Sequence, residues 1–97
     1  MSEMYNPPHP GEILKDTVLS ADGANLTVQD LADRLAMSRV SVSRVVNGKA
    51  GISMQMAIRL GVLLSTSAES WINMQTAYDL WQERKVKQPK IKPLAAA

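Results

Sequence analysis

The sequence predicts an all-α fold of five short helices, a small helix-turn-helix domain. Three observations carry this. Apolar residues recur at helical spacing in segment after segment. Residues that cap helices (Thr27, Ser38, Ser53, and Ser67 or Ser70) stand ahead of those segments. The one strand-like stretch, "SRVSVSRVVNGK" from Ser38 to Lys49, has no partner strand anywhere in the chain, and as a strand it would put Val45 and Val46 on opposite faces.

The first helix follows "NPPHP". Pro8 and Pro10 disfavour helix in the residues before them, Pro10 suits a first turn, and Glu12 lies near the positive end of the helix. Ile13, Leu14, Thr17 and Val18 give it an inward face, and "SADGAN" ends it. Thr27 caps the second helix, with Asp30 at the third helical position. Val28, Leu31, Ala32 and Leu35 form its apolar stripe. That helix stops near Ala36 or Met37, because Ser38 is a fresh cap. The third runs from Arg39 to about Asn47, where Asn47-Gly48 terminates it. Ser53 caps a fourth through Leu64, with Ala57, Leu60, Gly61 and Leu64 on one face; Gly61 there implies either a close helix crossing or mere tolerance. The fifth runs to about Lys85.

These 97 residues are expected to form one small domain. A hydrophobic share of 45% supports a modest core. That core is aliphatic, because the only aromatics are Tyr5, Trp71, Tyr78 and Trp81. The organisation expected is an extended segment over 1–8, the helical domain over 9–85 with the helix-turn-helix at about 27–47, and a disordered tail over 86–97, where Pro89 and Pro93 alternate with lysines. There is no Cys, no apolar leader at the N-terminus and no run of bilayer-spanning length, which points to the cytoplasm and away from membranes.

Net charge is only +2, but it is unevenly spread. Acids dominate before Arg34. From there to Glu69 no acid occurs, and Arg39, Arg44, Lys49 and Arg59 do. Such a stretch is either an ordinary solvated face or the footprint of a nucleic-acid surface. Two capped helices joined by a short turn form the hairpin whose second helix enters the major groove. At about 100° per residue, a buried face of Val42, Val45 and Val46 leaves Val40, Arg44 and Asn47 pointing away, with Ser41 and Ser43 beside them. Arg39, in the first turn, can swing outward. Arg pairs with guanine O6 and N7, and an exposed Val packs on a thymine methyl. Asn47 and Lys49 are placed for phosphate, and the free amides behind the Thr27 cap could hold another.

"LTVQDLADRLAMSRVSVSRVVNGK" resembles the lambda-repressor/Cro (XRE) type of helix-turn-helix. "HPGEIL" ahead of it and "ISMQMAIRLGVLLSTSAESWINMQTAYDLW" behind it narrow the resemblance to HigA-type antitoxins of host-inhibition-of-growth toxin–antitoxin systems, over roughly Pro8 to Trp81. The resemblance implies a homodimer on double-stranded operator DNA that represses its own operon and neutralises a HigB-like mRNA-cleaving toxin. It implies base reading at positions that match Arg39, Val40, Ser43 and Arg44. Many relatives carry Gln at the start of the second helix, against phosphate. Here that place holds Val28, and the contact moves to its neighbour Gln29. The backbone set is then Thr27, Gln29, Ser38, Ser41, Asn47 and Lys49.

Trp71, Met74, Tyr78 and Trp81 make a heptad-like stripe on the fifth helix, read as part core and part dimer interface. His9, the only histidine, reads as a turn or cap residue rather than a metal ligand, and no cofactor is expected. Glu12 and Asp16 share a face at i, i+4 but lack a pocket, and no nucleophile–base pattern or phosphate loop occurs, so no enzyme activity is expected. Two rivals to an antitoxin are a solitary XRE-type regulator without a toxin and a protein-interaction module that has lost DNA binding.

Overall fold

The structure, a computed structural model, describes residues 6–19 and 26–94. The expected turn over 20–25 lies outside them, as do the first five residues and the last three. Five α-helices follow in order: α1 (Pro10–Leu14), α2 (Val28–Leu35), α3 (Arg39–Val46), α4 (Met54–Leu63) and α5 (Ala68–Arg84). No strand occurs among the described residues. The first helix differs from expectation. After Leu14 it widens into a π-helical turn, Lys15–Leu19, where the Thr17 hydroxyl donates to the Ile13 carbonyl at 2.6 Å. A Thr bonded back one turn pulls on the helical ladder at that point.

Every helix starts at a side-chain cap. His9 Nδ1 accepts the Gly11 N–H at 2.8 Å, and so serves as the cap the sequence suggests. Thr27, Ser38, Ser53 and Ser67 do the same for α2 to α5. Ser67 rather than Ser70 is the cap of α5. Three helices end alike, with one residue in the left-handed region and the next N–H closing on a carbonyl a turn and a half back. In α3 that residue is Gly48, at φ 72°. In α2 and α4 it is Ala36 and Ser65, at φ 54° and 56°, where a side chain resists the conformation.

One core unites the elements. Leu14 and Val18 meet Leu31, Ala32 and Leu35 of α2, Val42, Val45 and Val46 of α3, Ile52, then Met56, Ala57 and Leu60 of α4 and Trp71 of α5. Gly11 lets α1 lie directly on α3, since a Cβ there would overlap the Val45 carbonyl. Gly61 has a matching reason: a Cβ would stand 3.0 Å from the Ala68 amide, where the chain turns into α5. Val86–Leu94 continue beyond α5 as an exposed segment without regular secondary structure.

Candidate nucleic-acid interface

Helix α3 is held from behind and open in front. Val42, with no exposed surface, and nearly buried Val45 and Val46 fix it to the core. Val40, two residues before Val42, is 68% exposed. Burial of this pair in opposite senses is what a helix demands, and it places Val40 with Arg39 and Arg44 on the outer face. The Ser38 hydroxyl accepts the Ser41 N–H at 3.1 Å and donates to the Ser41 hydroxyl at 2.8 Å, so its first duty is to start the helix.

The residues expected to read bases differ in freedom. Arg39 and Val40 are exposed, and among the described residues Arg39 donates no side-chain hydrogen bond. Arg44 is exposed but turned toward the following loop, where Nη2 donates to the Lys49 carbonyl at 3.2 Å. A guanidinium has five donors, so the others stay available. Ser43 is half-buried and accepts from Asn47 Nδ2 at 3.2 Å. Lys49 stands exposed just past the helix.

The start of α2 narrows one expectation. Thr27 Oγ1 accepts the Asp30 N–H at 3.0 Å, and Asp30 Oδ2 accepts the Thr27 N–H at 3.1 Å. The Thr27 N–H first, then the Thr27 hydroxyl and the nearby Arg34 cation, hold the Asp30 carboxyl below its ordinary value. A carboxylate therefore occupies part of the space a phosphate would take, leaving only the Val28 and Gln29 amides at this end. The Gln29 side chain donates to Asp33 Oδ1 at 2.8 Å, along its own helix.

Arg59, counted by charge with the basic stretch, belongs elsewhere. It is half-buried and its Nη1 donates to the Leu35 and Ala36 carbonyls at 3.1 and 2.8 Å. It thus holds the strained end of α2 in place. The sequence offers one signal for this: an Arg on the otherwise uncharged α4, with no acid near it in sequence.

The α5 stripe divides along its length. Trp71 is 4% exposed, and its indole N–H donates to Thr66 Oγ1 at 2.8 Å, so it is a core residue and not a surface for a partner. Met74 is half-buried, beside Ile13, Val18 and Leu64 in an open groove. Tyr78 packs edge-on against His9, with ring centroids 4.8 Å apart. Trp81 is half-buried under the Lys85 ammonium, 3.7 Å from its ring. No helix among the described residues is long and apolar enough to cross a membrane.

Comparison with known proteins bears on this geometry. The chain matches the helix-turn-helix family HTH_3 over residues 22–71. Virulence-associated protein A' of Dichelobacter nodosus is 39% identical over 80 residues, 81% of this chain and 67% of that protein. The antitoxin HigA of Pseudomonas aeruginosa, solved with the higBA promoter, superposes with a TM-score of 0.78 at 37% identity, covering 92% of this chain and 99% of that one. The Pseudomonas aeruginosa protein PA4674, solved in complex with its operator DNA, gives a TM-score of 0.76 at 40% identity, covering 81% of this chain and 85% of that one.

Proposed function

The chain belongs to the HTH_3 helix-turn-helix family and to its HigA-type members, and from that footing we propose that it is a sequence-specific DNA-binding repressor acting as the antitoxin of its own operon. One observation carries the reading. On α3 the outward set of Arg39, Val40 and Arg44 is exposed while Val42, Val45 and Val46 anchor the helix. Arg39 and Arg44 read guanines and Val40 meets a thymine methyl. Lys49, Asn47 and Ser41 position the phosphate backbone. Relatives solved with promoter or operator DNA support it.

One short helix reads few bases, so the working unit is a homodimer with its two reading helices about 34 Å apart on a palindrome. The exposed side of α5, with Met74, Tyr78 and Trp81, supplies the seam. Repression is steric: the dimer occupies the promoter. The protein works in the cytoplasm as a binding protein rather than an enzyme, and it neutralises a HigB-like mRNA-cleaving toxin.

The test uses a duplex that the wild-type protein selects from a randomised library. An Arg39→Ala, Arg44→Ala double variant should lose operator discrimination, each Arg carrying about 1–3 kcal/mol. Wild-type affinity for the double variant in a mobility-shift titration would falsify the assignment. Co-expression with the product of the adjacent reading frame separates an antitoxin from a solitary regulator: growth rescue and a purified complex support the former.

A further inference from the structure

Two polar side chains are buried among the described residues, His9 and Gln75. His9 is accounted for by its cap. Gln75, 7% exposed on α5, reaches across to the loop that follows α3, where its Oε1 accepts the Ile52 N–H at 2.8 Å. Its Nε2 donates to Asp79 Oδ1 at 2.9 Å, one turn further along α5. The second bond orients the first: the carboxylate can only accept, so it takes the amide NH₂ and leaves the oxygen facing Ile52. Gly51 completes the fit, since a Cβ there would lie 3.1 Å from the Gln75 Cδ and Nε2.

The near end of the same loop is tied to α3. The Arg44 carbonyl accepts both the Lys49 N–H, at 2.7 Å, and the Ala50 N–H, at 3.2 Å. Lys49 is therefore carried on a short span fixed to the reading helix at one end and to α5 at the other. Between those ends the loop has no regular backbone pairing of its own.

We propose that Gln75 is a positioning residue for the DNA interface, setting the 48–53 loop through Ile52 and so the place at which Lys49 meets the phosphate backbone. The inference rests on the DNA-binding reading above. A Gln75 that merely added stability would leave affinity unchanged in any variant that stays folded. A positioning Gln75 acts through Lys49, and the two substitutions then do not add.

The experiment measures affinity of the full chain for the selected duplex against salt concentration. Gln75→Met, which keeps volume and helix propensity but cannot accept from Ile52, should bind several-fold more weakly. Its salt slope should fall by about 0.9 for each phosphate no longer neutralised. Lys49→Ala should do the same, and the Lys49→Ala, Gln75→Met pair should bind no more weakly than Lys49→Ala alone. Gln75→Glu with Asp79→Asn reverses the donors at constant net charge: the new carboxylate accepts from both Ile52 and the new amide, and wild-type binding should return. Should Gln75→Met not fold, Gln75→Asn, one methylene too short and still polar, takes its place. An unchanged salt slope, losses that add to those of Lys49→Ala, or a swapped pair no better than Gln75→Met would each overturn the proposal. Failure of the wild type to enrich any sequence, or to show a salt slope, removes the DNA-binding reading itself.

Discussion

The α2–α3 hairpin and α5 are both helical, yet they are held by opposite means. In the hairpin every buried side chain is apolar: Leu31, Ala32 and Leu35 on α2, then Val42, Val45 and Val46 on α3. Its polar side chains bond locally, within a turn or the next loop, as Thr27 does with Asp30 and Arg44 with Lys49. Helix α5 is twice as long as either hairpin helix, and its buried residues are Trp71 and Gln75, both hydrogen-bonded. The hairpin thus sorts apolar from polar by face and leaves Arg39 and Val40, on its outer face, without structural duties. In α5 one stripe mixes core, loop anchor and half-exposed aromatics. A surface free for DNA arises where the fold asks nothing of it.

The largest effect should come from the α5 side. Trp71→Ala removes a buried indole and should cost about 3–5 kcal/mol of unfolding free energy by chemical denaturation. A Trp71 that served mainly as a dimer seam would instead change the association constant and spare the fold, and the contrast between the two regions would then be misdrawn.

Next come two arginines of the same chemistry in different places. Arg59→Met removes two charge-assisted bonds at the end of α2 and should lower stability by about 1.5–3 kcal/mol, with the salt slope of DNA binding unchanged. Arg39→Met should do the reverse, leaving the denaturation midpoint in place and relaxing base preference. Equal melting behaviour for the two variants would dissolve the distinction between structural and reading cations.

The hairpin is legible in the sequence because its forces act over short range. Caps at Thr27 and Ser38, a stripe at i, i+3, i+4 and i+7, and Gly48 as terminator all lie within a few residues of what they control. The opposed fates of Val40 and Val42 follow from the same periodicity. What stays hidden depends on distant residues. The left-handed Ala36 carries no glycine signal, because Arg59, 23 residues on, steadies its carbonyl. Gln75 lies in register with Trp71 and Tyr78, but its partner Ile52 is 23 residues away. Mixed stripes such as that of α5 do not reveal which residues face inward, so the spacing alone groups Trp71 with residues that stay half-exposed.

A smaller effect sharpens the two faces of α3. Val42→Ala deletes two buried methyl equivalents, about 0.8 kcal/mol each in transfer free energy, and should lower stability by about 1.5 kcal/mol or more. Val40→Ala should leave stability unchanged within about 0.5 kcal/mol, since its side chain is already in water, and should weaken preference for thymine at one operator position. Equal stability losses for the two valines would remove the basis for an outward reading face.

The smallest effect tests whether the hairpin's local bonds matter at all. Asp30 is held below its ordinary value of 3.8, first by the Thr27 N–H and hydroxyl and then by Arg34. A carboxyl depressed in the folded state adds stability that is complete above its unfolded value. That contribution fades as pH falls from the unfolded value through the lower folded one, and is gone below both. Acidification across that window should therefore loosen the first turn of α2 before the core yields, seen as faster amide exchange at Asp30 and its neighbours. Asp30→Asn should abolish the pH dependence. It should also open the start of α2 to phosphate, because the carboxylate that now closes the capping box repels an anion approaching the Val28 and Gln29 amides. The salt slope of DNA binding should then steepen slightly. If exchange at Asp30 ignores pH throughout that window, its carboxylate holds nothing, and packing of Leu31 and Leu35 alone sets where α2 begins.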